Sequence, residues 1–194
     1  MKMKTVLMGA VASLAFAPMA IADGHEGERG RDGQLNIIYW QAPSILNPYL
    51  SGGTKDLESS SLVVEPLARY DSTGALVPYL AEAIPTVSNG GVSEDLTSIT
   101  WKLKSGLLWS DGSPVTSADV AFTAQYCMDP LGGCAQTSKF EGVQSVDAID
   151  DLTIKITFDS PKPNPYGPFA GAQSPIIQAA QFAECLGAKA PECT

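Results

Sequence analysis

The feature that most constrains this chain is a strand–turn–helix cassette between residues 99 and 128. Ile99, Trp101 and Leu103 alternate with Thr100, Lys102 and Lys104, and a period of two puts the apolar row on one face of a strand. Ser110-Asp111-Gly112-Ser113-Pro114 follows, a run of residue types that take turn dihedrals and bond their own backbone. Thr116 with Asp119 three residues on resembles a capping box with Asp in place of Glu, and it predicts a helix across Ser117–Met128.

The rest of the chain adds shorter elements. Leu35 to Trp40 is an apolar and aromatic run suited to a buried strand. Gln41 to Gly53, with Pro43, Pro48 and Gly52-Gly53, reads as a loop. Thr54 can cap a helix over Lys55–Leu67, which Pro66 limits at its end. Asp71-Ser72-Thr73-Gly74 is a turn, with a strand from Arg69 before it and Leu76 to Leu80 after it. Val143 to Ile149, an Asp150-Asp151 turn and Leu152 to Phe158 make a hairpin whose buried face is Leu152, Ile154, Ile156 and Phe158. Pro161 to Pro168 is irregular, and Pro175 to Glu184 can form a short helix.

The amino terminus predicts export. Lys2 and Lys4 precede an uncharged apolar run from Thr5 to Ala17, Pro18 breaks it, and Ala20-Ile21-Ala22 is a small-x-small cleavage site. That is the grammar of a secretory signal, cut after Ala22, and the run is too short to span a bilayer and stay. No cysteine lies near the cut to carry an acyl anchor, so the mature chain is expected to be soluble. Residues 23–34 are charged and Gly-rich and read as a disordered leader. Loss of Lys2 and Lys4 takes the net charge from −9 to −11. An acidic chain of this kind is a poor partner for nucleic acid or an anionic membrane surface.

Cys127, Cys134, Cys185 and Cys193 are four cysteines in an exported chain, and four cysteines allow three pairings. Spacing favours neighbours, Cys127 with Cys134 across a Gly132-Gly133 turn and Cys185 with Cys193. A four-thiolate zinc site is the competing reading, but its CxxC-type knuckles are missing. Catalytic signals are weak. His25 is the single histidine and sits in the leader, which removes Ser-His-Asp and Cys-His centres. No HExxH, GxSxG, GxxxxGK[ST] or strand-following GxGxxG is present. Asp150-Asp151 reads as a solvated turn and not as an acid pair.

Leu76 to Phe122 carries a specific combination: Leu76-Val77-Pro78 with Leu80-Ala81-Glu82, then Trp101-Lys102-Leu103-Lys104, then Gly106, Trp109, Asp111-Gly112, Pro114-Val115-Thr116 and Asp119-Val120. It resembles the signature region of the extracellular solute-binding protein family 5, binding components of ABC importers for dipeptides, oligopeptides and nickel. Ser117 stands where alanine is usual. The resemblance extends over about Leu35 to Phe182 and implies an α/β fold: the amino-terminal part of a two-lobed, type II periplasmic binding protein with an extra small domain, a mixed sheet and flanking helices. Residues 35–67 would start the large lobe, 68–170 form the small accessory subdomain, and 171–194 return to the large lobe. Family chains run more than twice as long, so the expectation is an amino-terminal portion lacking the second lobe and binding weakly by itself.

The resemblance implies that ligand lies against the segment after the first strand. The candidates there are Tyr39, Trp40, Gln41, Pro43, Ser44 and Asn47, with Gln173 in Ala172-Gln173-Ser174 a second contact. Trp101 and Trp109 read instead as packing residues. Some oligopeptide binders place an acidic residue in that first loop, and Gln41 to Ser44 has none, which leaves dipeptides, glycosides and other small solutes open. No His, Cys or Met cluster there supports nickel or haem, and no cofactor is expected. The implied function is a monomeric periplasmic receptor that delivers solute to a membrane permease. The alternatives are a secreted hydrolase and a self-standing secreted interaction module.

Overall fold

Turn chemistry organises the chain, and the apolar rows close over it. A computed structural model describes residues 36–193; the segments expected to be a signal sequence and a leader, His25 with them, lie outside the described residues. Asn36 to Ile38 fall in one unit and Tyr39 onward in a second. The described residues 36–38 carry no regular structure, with Ile37 at 53% and Ile38 at 99% exposure. The buried strand expected over Leu35 to Trp40 is therefore not formed. A strand needs a ladder partner for its amides, and no strand among the described residues pairs with this stretch.

The second unit begins with a loop and a 3-10 turn, Pro48–Leu50. Helix α1 spans Thr54–Ser60, with Gly53 and not Thr54 in the cap position. It stops seven residues short of the expected Leu67. Ser60 Oγ donates to the Leu57 carbonyl and Ser61 Oγ to the Glu58 carbonyl, the local side-chain bonding that competes with helix continuation. Strands β1 (Ala68–Tyr70) and β2 (Leu76–Pro78) form a hairpin, Tyr70 opposite Leu76. Asp71 Oδ1 closes its turn by accepting from the Thr73 amide at 2.8 Å and the Ala75 amide at 3.0 Å. Gly74 takes a φ of 82°, which a side chain would resist.

The expected cassette is present. Strand β3 (Ser98–Lys102) buries Ile99 and Trp101 completely. Helix α2 runs Ser117–Met128 behind a capping box in which the Asp119 carboxylate takes the Thr116 amide at 2.9 Å. Strands β4 (Val143–Asp150) and β5 (Thr153–Phe158) form the expected hairpin, and β5 is central in the order β3-β5-β4. Ile99 faces Ile156 and Trp101 faces Ile154 across β3 and β5. Ile99, Ile154 and Ile156 are each fully buried, worth about 1.5–3 kcal/mol apiece. Helix α3 is Ala179–Phe182, and a 3-10 helix, Gly187–Glu192, follows it.

Two connections tie these parts together. Ala81 bridges Leu103, with the Glu82 amide on the Lys102 carbonyl at 2.8 Å and the Lys104 amide on the Leu80 carbonyl at 2.9 Å. The two halves of the recognised motif, Leu80-Ala81-Glu82 and Trp101 to Lys104, therefore pair with each other. Near the end of the chain, Ala170 makes a parallel bridge to Ala68 beside the antiparallel β1–β2 pair, which gives that sheet its mixed character. Both neighbour disulfides are formed, Cys127–Cys134 and Cys185–Cys193.

Candidate functional site

Tyr39 to Ser44 form an exposed edge. Trp40 is 68% exposed, and Gln41, Ala42, Pro43 and Ser44 are all exposed. Tyr39 is half-buried, and its ring lies 5.8 Å from that of Trp40. Its hydroxyl is buried and hydrogen-bonds to no described group. Two aromatic faces, one amide side chain and exposed residues on one short segment can stack on and hydrogen-bond a small solute.

Behind this edge the chain is pinned by Asp56, a residue the sequence did not single out. Its Oδ1 accepts from the Ser44 amide at 2.6 Å and the Ile45 amide at 3.4 Å. Its Oδ2 accepts from Ser51 Oγ at 2.7 Å. The Lys55 ammonium lies 2.9 Å from Oδ1 and also donates to Ser44 Oγ. Hydrogen bonds from Lys55, then Ser51 and the Ser44 amide, hold the Asp56 carboxyl well below the usual carboxylate range. The available signal was an acidic residue in the first turn of α1, a position favoured at helix starts.

Asn47 faces inward. It is 7% exposed; its Oδ1 caps the Tyr49 amide at 3.0 Å and its Nδ2 donates to the Tyr126 hydroxyl at 3.1 Å. Both ends of the amide are thus engaged inside the chain, unlike the exposed candidates before it. Tyr49, fully buried, donates to the Pro175 carbonyl at 2.5 Å, and burial pushes its hydroxyl well above the ordinary tyrosine range. That bond brings the return segment beside the first loop. Gln173 is exposed there, next to buried Ser174, whose Oγ accepts the Phe169 amide at 2.8 Å. Phe169 holds a φ of 61° in this turn, a conformation costly for a residue with a side chain.

Gln136 grips the same region from the disulfide-bonded loop. Its Nε2 donates to the Pro48 carbonyl at 3.2 Å and the Ser51 carbonyl at 2.9 Å, and the Ala135 amide donates to the Tyr49 carbonyl at 2.7 Å. Trp101 is core, with its ring edge-on to Tyr166 at 6.2 Å. Trp109 is half-buried and its Nε1 donates to Asp119 at 3.3 Å. A separate open groove of about 760 Å³ lies between α2 and β4, lined by Ala118, Phe122, Met128, Val146 and Ala148 among others. None of the candidate residues lines it. Among the described residues no three His, Cys, Asp or Glu side chains gather to hold a metal, and no helix is long and apolar enough to cross a membrane.

Comparison with known proteins decides the family. Residues 75–190 match the bacterial extracellular solute-binding proteins, family 5 Middle. The chain belongs to this family. The family 5 chain is 30% identical over 170 residues to Protein XP55 of Streptomyces lividans, covering 84% of this chain and 29% of that protein. It is 25% identical over 159 residues to the oligopeptide-binding protein OppA of Bacillus subtilis, covering 72% of this chain and 28% of OppA. Among solved structures, AgaA of A. tumefaciens R10, in complex with agropinic acid, superposes with a TM-score of 0.65 at 27% identity, over 74% of this chain and 28% of AgaA. The solved neighbours are two-lobed periplasmic binding proteins, and the α/β fold found here corresponds to part of one. The chain spans less than a third of the length of the curated relatives it matches, 29% and 28%. OppA is named for oligopeptide binding, in keeping with the family's solute-binding role.

Proposed function

We propose that the family 5 chain is part of the substrate-binding component of an ABC importer. It captures a peptide or a related small solute outside the cytoplasm and presents it to a membrane permease. The observation that carries this reading is the exposed Tyr39–Ser44 edge, aromatic and polar, directly ahead of a segment fixed by internal hydrogen bonds. Tyr39, Trp40, Gln41, Pro43 and Ser44 face the solute in this reading, with Gln173 flanking them, while Asn47 supports the loop from inside. A peptide-binding relative and a neighbour in complex with agropinic acid together favour a small polar solute. Residues 68–170 act as the accessory subdomain, a boundary supported by the Ala68–Ala170 bridge that sets its two ends side by side. The protein works as a periplasmic monomer that closes on its ligand, without catalysis or cofactor.

The test is titration of the natural polypeptide that carries this chain with a panel of di- to pentapeptides and sugar–amino-acid conjugates, read by calorimetry. Trp40→Ala and Gln41→Ala are expected to weaken binding of whichever solute the wild type takes. If each leaves affinity unchanged, the solute-facing assignment falls.

A further inference from the structure

We infer that Asp56 is the positioning residue of the solute-facing edge: its carboxylate, and not the edge's own side chains, sets the backbone at Ser44 and Ile45. The inference rests on the reading that Tyr39–Ser44 faces solute, and it adds what holds that edge in place and what chemistry it presents.

Asp56 gathers donors from two sides of the 3-10 turn. A carboxylate offers about four lone-pair directions. Here the Ser44 amide, the Ile45 amide, Ser51 Oγ and the Lys55 ammonium supply four donors, at 2.6, 3.4, 2.7 and 2.9 Å. Asp56 itself is only 3% exposed. Three of the four donors lie outside α1, on residues 44, 45 and 51, so the carboxylate draws the chain on either side of the 3-10 turn toward the start of the helix. The one further bond here, from Lys55 to Ser44 Oγ, comes from an ammonium that is itself held on Asp56. The edge therefore depends on a group eleven to twelve residues away in sequence.

This internal pairing also defines what the edge offers. Asp56 is buried with three donors on Oδ1 and one on Oδ2, and the Lys55 ammonium is held by Asp56 and Ser44, so both charges are already paired within the chain. Gln41 to Ser44 carry no ionisable side chain. The part of the solute that meets this edge is accordingly uncharged: an amide, hydroxyl or ring face that suits the Trp40 indole and the Gln41 amide.

The experiment is hydrogen exchange on the natural polypeptide without added solute, comparing wild type with Asp56→Asn, Asp56→Glu and Ser44→Ala. Asparagine keeps one acceptor oxygen, turns its NH2 toward either the Ser44 or the Ser51 side, and removes the charge that strengthens every bond to Asp56. Exchange at the Ser44 and Ile45 amides is expected to rise about tenfold or more, the range for losing a charge-assisted bond, with β5 core amides unchanged. Asp56→Glu keeps the carboxylate and is expected to recover most of the protection, and Ser44→Ala keeps the backbone bond and is expected to change it little. Unchanged exchange at Ser44 in Asp56→Asn overturns the inference. So does loss in Asp56→Asn without recovery in Asp56→Glu, which assigns the effect to shape. Should Asp56→Asn fail to fold, Asp56→Ala removes both acceptor oxygens without adding a donor, and an unchanged Ser44 amide there overturns the inference. Trp40→Ala against the peptide panel tests the solute-facing reading separately: the edge can loosen in Asp56→Asn while that reading fails, and the reverse.

Discussion

Removing the Cys127–Cys134 disulfide has two separable consequences. The two cysteines are seven residues apart and buried, at 0% and 8% exposure. Closing so short a loop in the unfolded chain is worth about 2.5 kcal/mol by the chain-entropy relation. Alanine at both positions adds a small loss of buried sulfur, so the double variant should lose roughly 3 kcal/mol, or about 6–12 °C in Tm for a domain of this size. The Cys185–Cys193 pair has a separation of eight, and its global cost should be similar. The local consequence differs. Cys134 leads directly into Ala135 and Gln136, whose bonds hold the Tyr49, Pro48 and Ser51 carbonyls. Cys127→Ala/Cys134→Ala should therefore also raise exchange of the Ala135 amide and of the amides through residues 49–51, and Cys185→Ala/Cys193→Ala should not. Calorimetry gives the first quantity and hydrogen exchange the second. A shift below about 1 kcal/mol, or equal exchange around residue 49 in the two variants, refutes the reasoning.

Other outcomes follow from single contacts. Tyr49→Phe deletes the bond to the Pro175 carbonyl and leaves it buried without that partner, so urea denaturation should show a loss of about 1–3 kcal/mol. Asn47→Ala removes a cap and the donor to the Tyr126 hydroxyl; about 2 kcal/mol should be lost without solute present, whereas a residue serving ligand alone would cost nothing. Asp111, bonded by Ser113 and then Gln178, is held at about 2. Its folded value lies below the unfolded one near 3.9, so these contacts stabilise fully above that pH and are lost as pH falls through about 2. A carboxyl NMR titration of Asp111 with a midpoint near 4 would contradict this.

Legibility in the sequence followed how local each determinant is. Helix α2 was readable to its ends because the Thr116–Asp119 box and the preceding Asp111 turn are written within a few residues. The β4–β5 hairpin was readable because Ile154, Ile156 and Phe158 alternate toward the core. Leu35 to Trp40 has the composition of a strand, but pairing depends on a partner that composition does not specify. Asn47 looked like its exposed neighbours; only the fold turns it onto Tyr126. Asp56 was missed because its partners at Ser44 and Ile45 come from beyond a turn, and a helix-start acid normally serves its own helix.

The measurement that bears most directly on the central claim is to incubate the natural polypeptide with the peptide and conjugate panel, following its Tm and the mass of every solute. A binding protein predicts that at least one solute, at about a hundred times its Kd, adds roughly 2.7 kcal/mol of stability and is recovered intact. Solutes that are consumed, or a panel from which nothing raises the Tm, would contradict the account.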